Sequence, residues 1–515
     1  MASLRQRIPK LVFPKVSASS GSGYGQTGAS RTAPWQKGFK PDSKSAARDI
    51  EDHLQLLRES SRSLVQAGGV AEGAVKTVAT NVVGSGLRLH ARPDASLLGM
   101  STQQAADWAR LVEVEFDLWA SDPCGTDLLG LLTFGQLQRV ALLSQVQSGD
   151  AFVLPTLADR SLYQPYGLRL HLVEADRVRT PRESGLVAGW HGRSQGKAAN
   201  GNDIFDGVEV GPDGRVAAYW FHNNHPNEAR VDVTEQAVRV IPREPITGLR
   251  TVLHLIVTER PEQRRGLPIL AGAIKKVKNL ERFTDAELAA AVAQTFLAYY
   301  VKSEFPPLGG APLGKEAEDA DDEMEIEEGT VQELRPGQDL GALPPTHPGA
   351  QFDPFVKAIT EQVGASLEIP AEVLLKAYDS NYSSARAARL EATMAFTMWR
   401  EWICANLCRP VYELWMTEAV ALGRINAPGF ATDPLRRHAY LQSGWVGPSF
   451  GQLDPIKEVK AELLQIGEGL TTHAASAMRL TGARFDELLP TIQAERAALA
   501  AIGQQETTEG NSTDG

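Results

Sequence analysis

A chain of 515 residues has room for three or four domains at roughly 100–200 residues each, so one compact fold is not expected. Its net charge of −11 excludes a protein that coats nucleic acid with a uniformly basic surface, and any contact with DNA must be local. Three cysteines exclude a disulfide framework, and no run approaches 18 uninterrupted apolar residues, so the chain is expected to be soluble and intracellular when made, with no membrane partner.

Residues 1–45 are rich in Ser, Gly, Pro and Lys. Arg5, Arg7, Lys10, Lys15, Arg31, Lys37, Lys40 and Lys44 face one acid, Asp42, and the stretch reads as a basic flexible arm. Within it Gly23-Tyr24-Gly25-Gln26-Thr27-Gly28 satisfies G-x-G-x-x-G, but no strand precedes it and no helix follows, so it is set aside as a dinucleotide site. From Ser45 to Val83 apolar residues recur at helical intervals broken by Gly68-Gly69, which predicts two helices. Val82–Arg92 turns to strand chemistry, Thr102–Leu118 returns to a helix, and Leu128–Val146 reads as another, closed by Ser148-Gly149. Strands are predicted at Ala151–Leu157, Leu168–Val173 and Thr251–Val257. Gly207–Phe221 is a hairpin turning at Asp213-Gly214, and Arg182–Asn202 an exposed loop.

The stretch Gly266–Lys302 has Pro268 in its first turn and apolar residues at helical spacing, which predicts one long helix. At 1.5 Å per residue it would span about 50 Å, too long to be covered by a local core, so a second subunit is its expected support. Ala286, Ala290 and Ala293 would let a neighbouring helix approach, and Lys275, Lys278 and Arg282 form a basic stripe beside them. Pro306–Ala350 follows without periodicity. Its acids include Glu316, Glu318, Asp319, Asp321, Asp322, Glu323 and Glu325. Helices are predicted at Phe352–Leu375, at Ser384–Ala421 with Trp399, Trp402, Tyr412 and Trp415 as core, and from Asp454-Pro455 to about Ile502. Cys124, Cys404 and Cys408 read as reduced, buried packing residues.

A search for chemistry finds little. Gly309-x-x-x-x-Gly314-Lys315 lacks the Ser or Thr that binds magnesium, since Glu316 stands there, and it is rejected as a phosphate loop. His222 and His225 lack a nominated third ligand, and no nucleophile motif occurs, so no cofactor is expected. The rival reading is a metal-dependent hydrolase using His222, His225 and nearby acids.

The order of several segments resembles the lambda-type portal proteins of tailed bacteriophages. These are Asn81-Val82-Val83-Gly84-Ser85-Gly86, Gly149-Asp150-Ala151-Phe152-Val153, Leu170–Arg177, Gly207–Tyr219, Val252-Leu253-His254-Leu255 and Arg260-Pro261-Glu262-Gln263-Arg264-Arg265-Gly266-Leu267-Pro268. Asn381-Tyr382-Ser383-Ser384-Ala385-Arg386, Asp454-Pro455-Ile456-Lys457-Glu458 and Gly469-Leu470-Thr471-Thr472 continue the series, so that the likeness spans about residues 46–490. The resemblance implies an α+β, mainly helical, multi-domain portal architecture with a long stem helix and a β-rich clip. It implies a homo-oligomeric ring, typically of twelve subunits, at one capsid vertex, through which double-stranded DNA is packaged and ejected. The terminase motor, the major capsid or scaffolding protein and the head-tail connector proteins are the implied partners. By this analogy residues 46–127 and 351–453 form the wing, 128–305 the stem helices flanking the clip, 306–350 an acidic channel-facing loop, and 454–515 a helical crown and tail. The basic stripe and the acids would then lie along the DNA channel.

Overall fold

The helical periodicity after the arm resolves into α1 (Ala46–Ala67) and α2 (Gly69–Val82). The Ser45 hydroxyl accepts the Arg48 N–H at the start of α1, and Gly68, at φ 92°, supplies the backbone turn that breaks the pair. This is a computed structural model, and it describes residues 41–181, 195–228, 236–296, 299–303, 338–342, 352–377, 382–449 and 455–482, with short stretches at 37–38 and within 485–499.

Next come β1 (Arg88–Ala91), α3 (Ala95–Leu98), α4 (Thr102–Ala120), α5 (Pro123–Thr126) and α6 (Phe134–Ser148). Reciprocal capping by Ser101 and Gln104 opens α4, and by Thr133 and Gln136 opens α6. The helix expected from Leu128 therefore begins later. The Asp127 carboxylate accepts the N–H groups of Leu131 and Leu132 and holds this stretch as a turn.

The β region contains β2 (Asp150–Leu157), β3 (Leu168–Val173), β4 (Gln195–Lys197), β5 (Asp203–Phe205), β6 (Val208–Val210), β7 (Val216–His222), β8 (Ala237–Val240) and β9 (Leu253–Ile256). β3, β2 and β9 make one antiparallel sheet, and β4 to β8 a five-stranded antiparallel meander. The β6–β7 hairpin turns at Asp213-Gly214, as its sequence predicts. Part of the expected loop Arg182–Asn202 is strand β4. Gln195-Gly196-Lys197 is a short polar edge that gives no apolar alternation to detect.

α7 (Ile274–Phe296) is shorter than the helix expected over Gly266–Lys302, at both ends. Backbone turns occupy the stretch from Pro268 to Ala273, and Tyr299–Ser303 forms β10, paired antiparallel with β11 (Gln338–Ala342) inside the segment read as patternless. Aromatic and β-branched Tyr299, Tyr300 and Val301 suit a strand better than a helix end. α8 (Phe352–Leu367) and α9 (Ala371–Leu375) are separated at Glu368 to Pro370, with Glu368 at φ 56°. α10 (Tyr382–Ile403) passes through a π-helical turn at Cys404–Cys408 into α11 (Arg409–Ala421). Pro410 has no N–H to donate into the preceding turn, which accounts for the local widening of a helix expected to be continuous. α12 (Pro434–Leu441), β12 (Ser443–Val446), α13 (Pro455–Gly467) and α14 (His473–Thr481) complete the order, and β12 pairs with β1.

One core joins α2, α4, α6 and α11. Phe116 sits at its centre, edge-on to Trp415 at 5.1 Å and to Phe134 at 5.8 Å. Tyr412 and Trp415 are buried as expected, Trp399 and Trp402 lie at the margin, and Cys404 and Cys408 are buried free thiols. Cys124 departs from expectation. It lies in the short α5, which leaves it exposed. A second cluster, with Phe152, Val178, Val208, Tyr219 and Phe221, joins the meander to the three-stranded sheet.

Two loop backbones meet where β2 begins and α7 is approached. A Cβ on Gly266 would lie 1.9 Å from the Gly149 carbonyl oxygen, and one on Gly149 would lie 2.3 Å from that of Gly266. Gly266→Ala is therefore expected to lower stability by about 1–3 kcal/mol through overpacking, read as a fall in melting temperature. An unchanged transition would show that these backbones part freely.

Candidate assembly and channel surfaces

α7 is held at its first half. Val277 and Leu280 are buried, as is Ala273 just before the helix, and Phe283 contacts Phe352 and Phe355 of α8 at 5.7 and 4.5 Å between ring centres. Lys275, Lys278 and Arg282 fall in one row, as their spacing predicts, and packing leaves that row exposed. Lys278 pairs with Glu281 at 3.1 Å, and Lys276 donates to the Gln362 carbonyl at 3.5 Å. From Asp285 onward the helix stands out from its own core: Leu288 is 65% and Val292 48% exposed. Ala286 is exposed and Ala290 half-buried, whereas the surroundings of Ala293 lie outside the described residues. So do all of Glu316, Glu318, Asp319, Asp321, Asp322, Glu323 and Glu325.

What fixes the approach to α7 is a buried charge cluster that sequence reading passed over. Asp150 is wholly buried at the start of β2. Its carboxylate accepts Arg58 Nη2 and Arg265 Nε at 2.7 Å each, His254 Nε2 at 3.1 Å and the Gly266 N–H at 2.6 Å. Burial pushes this carboxyl up, but Arg265, His254 and Arg58 outweigh it and hold Asp150 well below the usual carboxylate range. Arg265 also donates to Asp206 Oδ2 at 2.8 Å and to the carbonyls of Val178 and Ala175 at 2.9 Å, while Arg58 donates to the Ser148 carbonyl at 2.8 Å. Arg62 pairs with Asp176. One cluster thus ties α1, β2, the β5–β6 turn and the segment leading into α7. The signals were present: Arg58 follows Ile50 and Leu54 at helical spacing on the buried face, and Asp150 heads an apolar strand.

Glu51, one turn before Leu54, is nearly as buried, and neither carboxyl oxygen has a hydrogen-bond partner. Burial and then Asp206, opposed by Arg264 and Arg265, push its pKa up to about 8.

The histidines do not converge. His222 Nε2 lies 3.0 Å from the Arg179 carbonyl, His225 lies 3.7 Å from Asp176, and His254 is held between Asp150 and the Tyr219 hydroxyl, which is 3.3 Å from Nδ1. Among the described residues no three His, Cys, Asp or Glu side chains are grouped as metal ligands, which leaves the hydrolase reading without a site to support it. No helix among the described residues is long and apolar enough to cross a membrane.

A buried charge cluster thus fixes the frame of an α+β fold whose long helices turn cationic and apolar faces outward. Comparison with known proteins gives the family. Residues 32–400 match the phage portal proteins of the lambda family, and the chain belongs to that family. It is similar to the portal protein of Escherichia phage N15, 22% identical over 492 residues and covering 91% of this chain and 89% of the relative. Portal protein B of Escherichia phage lambda is 22% identical over 491 residues, covering 90% and 88%, and the probable portal protein of Halomonas phage phiHAP-1 is 24% identical over 458 residues, covering 88% and 82%. A chain in the neck of a native gene transfer agent particle, computed with C12 symmetry, has a TM-score of 0.39 at 14% identity, covering 84% of this chain and 93% of that one. The chain is thus a lambda-type portal protein, with a role in packaging viral DNA that follows from its family, which is structural.

Proposed function

We propose that twelve copies of this chain close into a ring at one vertex of the capsid, assembled in the host cytoplasm, and that double-stranded DNA enters and leaves through its bore. Membership of the portal family carries this reading, and the outward half of α7 supports it, because exposed Leu288 and Val292 on a protruding helix suit a neighbouring subunit. In this reading α6 and α7 are the stem helices, and the strands between them the clip. Residues 46–127 and 351–453 supply the wing, and 454–515 the crown and tail. The terminase motor docks on the ring during packaging and head-tail connector proteins dock later, while the major capsid or scaffolding protein surrounds it. The basic arm 1–45 serves as an electrostatic contact with those neighbours.

The cationic row that begins at Lys275 and Lys278 meets DNA phosphates, and the acids between Glu316 and Glu325 repel them, so the duplex slides instead of binding. The ring is tested by the mass of the purified particle, expected at twelve times that of one chain. A monomer under conditions that support head assembly would overturn it. The channel is tested by Lys275→Ala with Lys278→Ala, which should leave rings intact yet change the DNA packaged per head severalfold, an effect that shrinks as salt screens the contact. Parental packaging at every salt concentration would remove both lysines from the channel.

A further inference from the structure

α10 carries an apolar face that its own chain leaves in solvent. Leu390, Met394 and Met398 recur at four-residue steps and are 59, 71 and 69% exposed, while Ala392, Phe396 and Ile403 are buried on the other side. The face is bounded by Arg386 at one end and by Glu401, 67% exposed, at the other. α7 presents a second such face in its outer half, with Leu288 and Val292 beside Ala289 and the exposed Asp285, and the basic row at its inner end. Within the chain α7 rests on α1 and α8, and α10 on α2 and α9.

We infer that α10 of one subunit receives α7 of a second copy of this chain, with the two helices antiparallel. The inference rests on the ring reading above and names its contact. Charge sets the direction. With Met394 placed opposite Ala289, an antiparallel pairing brings Glu401 opposite Arg282 and lays Leu390 beside Val292, so the acid end of one face meets the basic end of the other. Parallel pairing on the same seat carries Glu401 to Phe296, the last residue of α7 and far from the basic row, and sets Leu390 against Asp285. Size also matches at the centre, where the long Met394 of α10 falls over the small Ala289 of α7. Glu401 already pairs with Arg409 at 3.1 Å, but both are exposed, and a surface pair of this kind exchanges partners at little cost. The contact is heterologous, one subunit giving α7 and the next α10, so each copy retains one half for another neighbour, as a ring requires. Arg282 then belongs to the contact, and DNA is left to Lys275 and Lys278.

The test is disulfide trapping in the full chain on a Cys124→Ser background. Chains with Ala289→Cys are mixed during assembly with chains carrying Met394→Cys, then oxidised mildly and separated under denaturing conditions, with electron microscopy of the same sample. A dimer band from the mixture, absent from either variant alone, is the expected result. A single chain carrying both substitutions should give a ladder of multimers. In addition, Arg282→Glu should lower ring yield about tenfold, and Glu401→Arg in the same chain should restore it. Rings without the dimer band, or a cross-link confined to one chain, would overturn this contact and leave the ring standing. Failure of the parent to form rings would overturn both.

Discussion

Asp150→Ala is expected to lower stability by about 3–5 kcal/mol, because it leaves Arg58 and Arg265 buried without their shared carboxylate. It also removes the acceptor for the Gly266 N–H, which fixes the approach to α7. The loss should appear in denaturant unfolding and as a fall in soluble, ring-competent protein. Replacing all three charges, Asp150, Arg58 and Arg265, by apolar residues should cost less than the single change, since no uncompensated charge remains. The parent should also be acid-labile. The Asp150 carboxyl is depressed in the folded chain, so its contribution is present above the ordinary carboxylate range and is lost as pH falls below it. A loss under about 1 kcal/mol for Asp150→Ala would show that solvent enters the cluster and screens it.

Glu51 is expected to act with the opposite sign. Its carboxyl is raised from 4.5 to about 8, so between those values the folded chain holds a proton that the unfolded chain releases. Stability is therefore highest at or below about pH 4.5 with respect to this group, and declines as pH rises toward 8. The decline amounts to about 3 kcal/mol between pH 5 and pH 8, at about 1.4 kcal/mol per unit. Glu51→Gln cannot ionise and should lose that slope, so that it gains on the parent as pH rises. Unfolding free energies of both proteins at pH 5 and pH 8 provide the check. Parallel curves would mean that Glu51 is ionised in the folded state and has found a cationic partner.

A glutamate that costs stability and an aspartate that supplies it lie in the same small region, around the loop between Arg264 and Gly266. Both can be found in the sequence as charges in apolar settings, but their signs cannot. Asp150 and Glu51 differ in how many donors surround each carboxyl, and the donors to Asp150 come from α1, β9 and the approach to α7, far apart along the chain.

The sequence by itself determined the local elements and the family. Helical spacing placed α1, α2 and α4 to within a few residues, alternation placed β2, β3 and β9, Asp213-Gly214 placed a hairpin turn, and the collinear segments from Asn81 to Thr472 pointed to portal proteins. These features depend on neighbours within one or two turns of chain, and local periodicity records them directly. Tertiary structure alone decided where α7 starts and stops, because a Gly149–Gly266 backbone contact and pairing with residues 338–342 override a helical pattern that continues past both ends. It alone decided that Lys275, Lys278 and Arg282 are exposed and that Leu390, Met394 and Met398 lie in solvent, since periodicity defines a face and only packing decides whether that face is covered.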